Sequence, residues 1–256
     1  LGRSRIYNGL GMVRRMMIHV LPGDATAADF AETGIGGELI VCREALVDGN
    51  AKAETRDEFW KVREGFIASE YGENGQTYRE NVVKEFERLR RVPAGAEVNL
   101  WFEYELFCSV NMWFCIDLLR DADVSVFRVA PAIRTDEEKW KGFGKMSADD
   151  LRQCFAERTE MNPADRELGS ALWRAFSNGD LQELDRLGNT RSESFPHLRE
   201  VCTAAMQRSF RPLEVLKEIT SNDAKDFSEI FQEFSRRAGV YGYGDAQVKR
   251  LLDEMN

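Results

Sequence analysis

The chain reads as an α/β protein, with a short, mostly parallel, Rossmann-like sheet followed by an α-helical C-terminal domain. Three observations predict this. Short apolar runs at 17–21, 38–42, 98–102 and 124–129 alternate with stretches of helical spacing, an order that lays parallel strands under covering helices. The first run ends at Pro22-Gly23-Asp24, directly ahead of a helical pattern, as many open α/β domains begin. Beyond Pro131 the strand signal fades and apolar residues recur at helical intervals.

The elements follow in order. Met17–Leu21 is the first strand, and a short helix runs from it to about Glu32, stopping at Gly34-Ile35-Gly36-Gly37. Glu38–Cys42 is the second strand, with Leu39, Ile40 and Val41 at its centre. Its long connection carries two helices, Glu54–Tyr71 and Gln76–Arg91, parted by Gly72-Glu73-Asn74-Gly75. Phe59, Val62, Phe66 and Ile67 mark one apolar face, and Val82, Val83, Phe86 and Leu89 the next. Pro93-Ala94-Gly95 precedes the strand Val98–Phe102, and a buried helix from Leu106 to Arg120 leads to the strand Val124–Val129. In the second half, Ser147 to Asp150 reads as a capping box and Asn162-Pro163 opens a long helix closed by Asn178-Gly179. Further helices are expected over 180–187, 196–209, 212–219, 223–237 and 245–255. Gly239-Val240-Tyr241-Gly242-Tyr243-Gly244 is the irregular spot, expected to form a short extended hairpin or wing, or simply a turn with its tyrosines packed. The expected organisation is a disordered or non-native arm at 1–16, an α/β domain at 17–131 and a helical domain at 132–256.

The arm holds Arg3, Arg5, Arg14 and Arg15 and no acid, and Met12, Met16 or Met17 are alternative starts. Removing its four arginines takes the cations from 35 to 31 against 44 acids, so the body carries −13. An acidic body disfavours nucleic acid, whose backbone demands clustered Lys and Arg. No apolar run approaches the roughly 20 residues of a bilayer span, so no membrane partner is expected. Cys42, Cys108, Cys115, Cys154 and Cys202 are odd in number and lack any C-x-x-C pair, which suits reduced thiols in a cytoplasm. With two histidines in the chain, no His-rich metal centre is expected. G-x-G-x-x-G and the P-loop pattern are both absent, so no cofactor is named.

Ligands of an open parallel sheet bind beyond the carboxyl ends of its strands. Those ends deliver Gly23 and Asp24, then Arg43 and Glu44, then Glu103 and Glu105, then Arg128. Gly23 and Asp24 are expected to offer backbone donors and a carboxylate, and Arg43 to clamp a negative group. Glu103 and Glu105 are expected to hold hydroxyls, a hydrated cation or a proton. The competing account is that Asp24 only caps a helix and that the acids after the third strand favour the next helix's N terminus. His19, inside the first strand, is either a general base or a core histidine bonded to a neighbouring carboxyl group. Cys108 falls in the first turn of its helix, where the dipole lowers a thiol pKa, unless it is a small buried hydrophobe. Asn111, an amide on an apolar helix, either pins Glu103 or the neighbouring loop, or faces the ligand.

The run Ile18–Asp24, together with Leu100–Cys108, Asn111 and the stretch Gly239–Val248, resembles the bacterial domain-of-unknown-function family 1835. That family's pattern centres on the histidine and the Gly-Asp turn, then on an acid-rich end to the Trp-containing strand. Those positions correspond here to His19, Gly23, Asp24, Trp101, Glu103 and Glu105, with Glu105 standing where the pattern has Asp. The resemblance implies the same architecture and the same pocket, and it brings no reaction.

The expectation is therefore a cytoplasmic protein that binds a small polar ligand, nucleotide-like or phosphorylated, at the strand ends. Any catalysis is acid–base work by Glu103 or His19, with Gly23, Asp24, Arg43, Glu105 and Asn111 as ligand contacts. The alternative is a regulatory or interaction module whose helical half is the contact surface. The sequence leaves homo-oligomerisation open.

Overall fold

The computed structural model describes residues 15–221 and 226–255. Most of the 1–16 arm, and the start of the helix expected over 223–237, therefore lie outside the described residues. β1 (Met17–Leu21), β2 (Glu38–Val41), β3 (Glu97–Trp101) and β4 (Ser125–Val129) form a parallel sheet, and β5 (Thr159–Glu160) joins its edge antiparallel, in the order β2-β1-β3-β4-β5. Chain order reverses between β1 and β3, so the crevice typical of such sheets lies beyond Leu21 and Trp101.

Residue alternation splits the sheet's two faces. Ile18, Val20, Ile40, Val98, Leu100 and Val126 point into the large core. Leu21, Trp101 and Val129 point the other way, onto Phe30 of α1 (Asp24–Ala31), Leu151 and Cys154 of α6 (Ala148–Ala156) and Phe143. Between these two helices in the sequence come α2 (Arg56–Tyr71), α3 (Gly75–Tyr78), α4 (Lys84–Arg90) and α5 (Leu106–Leu118). The single helix expected over 76–91 is broken by a π turn at Arg79–Val83. α5 is apolar and buried on nearly every side, as befits a helix covered all round.

The second half adds α7 (Pro163–Asn178), α8 (Leu181–Leu187), α9 (Leu198–Gln207), α10 (Arg211–Thr220), α11 (Phe227–Ala238) and α12 (Asp245–Asp253). Its helices do not build a core of their own. One hydrophobic cluster runs from Ile18 through α5 and α7 to Val248 of α12, and the second half also lends β5 to the sheet. The stretch Gly239–Tyr241 is a 3-10 turn rather than an extended hairpin or wing, and Gly242 closes it in the left-handed region at φ 67°.

The loop after β2 is held by a buried polar network. Arg63 of α2 donates from Nε to Glu44 Oε1 at 2.9 Å and from Nη2 to Glu44 Oε2 at 2.8 Å, with both side chains fully buried. Tyr78 Oη and the Ala45 N–H complete the carboxylate, at 2.7 and 2.6 Å. Arg63 also donates to the carbonyls of Ala45, Asp48 and Asn50. Every polar atom of the pair is thus occupied, the condition under which a buried ion pair is tolerated. Glu44→Gln or Arg63→Met should lower the unfolding free energy by about 3–5 kcal/mol in a urea titration, because the surviving partner loses its complement in the interior. The double variant Glu44→Gln/Arg63→Met should lose less than the sum of the single losses. Strict additivity would show that the two side chains are not coupled.

Candidate functional site

Beyond Trp101 the chain turns through Phe102-Glu103-Tyr104-Glu105 and enters α5. Glu105 is the N-cap, and its two carboxylate oxygens accept from the Cys108 N–H at 3.0 and 3.1 Å. Glu103, half-buried, accepts from the Phe143 N–H at 2.7 Å, and the Cys108 thiol points at its Oε2 at 3.9 Å. One ligand atom each from Glu103, Glu105 and Cys108 lies within 4.8 Å of the others, close enough to surround a single ion. Among the described residues no ammonium or guanidinium pairs with either carboxylate.

This environment decides the protonation. The N terminus of α5 favours a negative charge on Glu105. Burial and the neighbouring Glu103 oppose it and win, pushing Glu105 up to about 8. Burial also raises Glu103, against the hydrogen bonds from Phe143 and Cys108. The Cys108 thiol goes up as well, first through burial and then through the two acids, so the helix dipole does not make it a thiolate.

Two glycines roof the acids. Gly142 (φ +65°) lies so close to Glu103 that a Cβ would overlap its carboxylate, and Gly242 (φ +67°) does the same over Glu105. The stretch Gly239–Gly244 thus covers a carboxyl group from the far end of the sequence.

The other predicted residues fall elsewhere. His19 is fully buried within β1 on the face of Leu21 and Trp101, ringed by Phe30, Trp101 and Phe155. Trp101 Nε1 can only donate, so His19 Nδ1 accepts from it at 3.1 Å and Nε2 carries the proton offered to Gly36 O at 3.2 Å. Burial lowers its pKa. Both nitrogens are spent, and their partners are an indole and a carbonyl instead of the expected carboxyl group. The general-base role is therefore corrected to that of a neutral core histidine. Asp24 and Arg43 pair with each other in bidentate fashion, at 2.7 to 3.0 Å, on an exposed edge. The Arg43 hydrogen bond holds Asp24 below the usual carboxylate range, and Arg43 also reaches the Asn81 carbonyl in the π turn. Neither side chain waits for a ligand. Gly23 caps α1 in an extended conformation with open space around it, so nothing there requires glycine. Asn111 pins the loop after β2, donating to Glu44 O at 2.7 Å and accepting from the Leu46 N–H at 3.4 Å. It is a positioning residue, not a ligand contact.

Sequence reasoning assigned no role to Tyr104, Arg128 or His197, which gather beside the acids. The Arg128 guanidinium lies 4.9 Å from the Tyr104 ring centroid, and the Tyr104 and His197 rings meet edge to face at 4.9 Å. Burial and then Lys139 lower the His197 pKa, with Glu200 opposing. The available signal was an arginine inside an apolar strand. Of two cavities in the structure, neither is lined by Glu103 or Glu105. One of about 200 Å³ is lined by Tyr104 and Arg128. A larger cleft of about 490 Å³ is lined by Asp48, Arg208, Tyr243, Gln247 and Arg250, and contains none of the candidate catalytic or ligand-binding residues named from the sequence.

No protein-family model matches this chain, and no curated protein is recognisably similar to it. No described helix is long and apolar enough to cross a membrane.

Two measurements follow from the acid pair and its roof. The folded Glu105 keeps its proton up to about 8, whereas an ordinary glutamate releases it near 4.5. Between these values the folded state binds more protons, so stability should fall as pH rises through this window and level off above it. Unfolding free energies from pH 4 to 9 should show that slope, and Glu105→Gln should flatten it (pH limits approximate, set by about one unit either side of the window). Gly242→Ala should cost about 1–2 kcal/mol from the left-handed backbone alone, with a further loss from displacing the carboxyl group. A neutral Gly242→Ala would remove the roof from the account.

Proposed function

We propose that the protein binds a small polar ligand at the carboxyl edge of β3 and β4 and exchanges a proton with it through the Glu103–Glu105 pair. The observation that carries this reading is a pair of neighbouring carboxyl groups, one buried and one half-buried, with no cation paired to either among the described residues. Two acids so placed do not ionise together, and the proton held between them titrates near the pH at which general acid–base chemistry is efficient. Glu103, the more exposed of the two, meets the ligand. Glu105 stands behind it and sets its charge, while Gly142 and Gly242 limit water. The arrangement is an acid–base device whether the ligand is transformed or only bound in one protonation state. The cytoplasmic setting and the resemblance to family 1835 belong to the same reading, supported by five free, buried cysteines and by the acid-rich turn after Trp101.

The interaction-module reading draws on one observation, the exposed Leu181 in the wall of the larger cleft and the exposed Phe210 next to its Ser209. Over 226–255 many of the basic side chains are engaged by acids, which lends no support to a nucleic-acid surface there. There Arg236 and Arg237 pair with Glu233, Lys249 with Asp245, and Arg250 with Asp48.

The test is infrared difference spectroscopy at neutral pH combined with a thermal-shift screen of small polar compounds. The wild type should show the carbonyl stretch of a protonated carboxylic acid, and Glu105→Gln should lose it. A compound at a hundredfold excess over its Kd should add about 2.7 kcal/mol of stability. That gain should disappear in Glu103→Gln and survive in Asp24→Asn. A wild type without the protonated band, or hits indifferent to Glu103→Gln, would overturn the proposal.

A further inference from the structure

Arg128 is a buried cation with which, among the described residues, no carboxylate pairs. It sits on β4 and is 5% exposed. Nη1 donates to the Ser194 carbonyl and Nη2 to the Glu103 carbonyl at 3.3 Å, while Nε, also buried, has no partner. Its guanidinium lies against the rings of Tyr104 and Phe195, at 4.9 and 5.9 Å. Carbonyls and aromatic faces soften a positive charge without cancelling it. Among the described residues no carboxylate pairs with Arg128, and the groups that interact with it most, Tyr104 and Cys108, are neutral at pH 7. Among the described residues the other buried arginine, Arg63, has an answer, since it holds Glu44 through two hydrogen bonds. Burial pulls Arg128 down to about 10, which still leaves it charged. An unpaired interior cation is costly, and an anion brought to it removes that cost.

There is room for one. The cavity of about 200 Å³ is walled by Arg128, Tyr104, Ala130, Pro131, Ala132 and Thr159. Exposed Glu157 and Glu193 also line it, and Glu157 is engaged by the Gln153 amide at 2.9 Å. Solvent screens these two acids far more than the buried guanidinium, so the interior charge prevails, while the rim disfavours a polyanion. The volume is several times the roughly 30 Å³ share of a water molecule. It falls below the roughly 300 Å³ at which drug-sized pockets begin, so it suits a single anionic group on a short stem, not a nucleotide.

We propose that Arg128 and this cavity form a binding site for one small oxyanion, a phosphate or carboxylate group. The site rests on the acid–base reading only for what lies beside it: Tyr104, between the two acids in sequence, walls the cavity, and the Glu103 carbonyl holds the guanidinium. A ligand anchored here by its anionic end lies next to the residues that carry the proton.

The experiment is isothermal titration and thermal denaturation of the full chain with sodium phosphate and, separately, sodium acetate, at constant ionic strength set by sodium chloride. Saturable binding and a rise in Tm are expected with one of the two, which names the class. Arg128→Met should weaken that binding roughly tenfold or more, the loss of a charged hydrogen-bond donor. The double variant Glu103→Gln/Glu105→Gln should keep it, which separates failure of the anion site from failure of the acid–base reading. Should Arg128→Met not fold, Ala130→Asp supplies a carboxylate to the same wall, and it should raise the basal Tm and abolish the anion response. No saturable response in the wild type, or an undiminished one in Arg128→Met or Ala130→Asp, would overturn the proposal.

Discussion

The structure depends on the Glu44–Arg63 ion pair. The loop after β2 plunges inward instead of crossing the surface, and an inward loop must find partners for its backbone groups. Arg63 provides them from α2, and Asn111 provides them from α5, so three elements meet on one short piece of chain. The same loop then offers Asp48 to Tyr71 at 2.8 Å and to Arg250 of α12 at 2.7 Å. The C-terminal helix is thereby tied to the end of β2 by a second, shallower ion pair. α5 packs on this fixed loop, and the turn that carries the two acids is the entrance to α5.

Against that background of paired charges, the strand ends of β3 and β4 are unusual. Among the described residues two carboxyl groups there have no paired cation and one guanidinium has no paired acid, although Arg128 donates to the carbonyl of Glu103. The main chain stands between them. Buried charges left without partners in this way are the kind of perturbed groups that cluster at functional sites, which is what the proposed acid–base and anion-binding roles rest on.

Much of the fold was legible because it follows local patterns. The four parallel strands and the helices of the second half are written as alternating or helical runs ended by Gly, Pro and caps. β5 has two residues, too few to carry a period, and it exists because β4 exposes an edge. The shared core was equally hidden, since apolar faces reveal that they are buried and not which neighbour buries them. At the site, the acid-rich end of β3 was readable from its position after an apolar strand. Asp24 and Arg43 were also found correctly at strand ends, but only three-dimensional proximity shows that they satisfy each other. Arg128 and the two roofing glycines depend on contacts between residues far apart in sequence. His19 illustrates the limit from the other side: its residue type suggests chemistry, while Trp101 and Gly36 use up both of its nitrogens.

The roof over Glu105 comes from Gly242, long after the acids in the order of synthesis. When the turn before α5 first leaves the ribosome, its carboxyl groups face water and release their protons as ordinary glutamates do. Gly242 docks over Glu105 only after that, so the burial that lifts this carboxyl group above the ordinary glutamate range is completed by folding itself. A chain stopped short of residue 242 would lack that part of the cover.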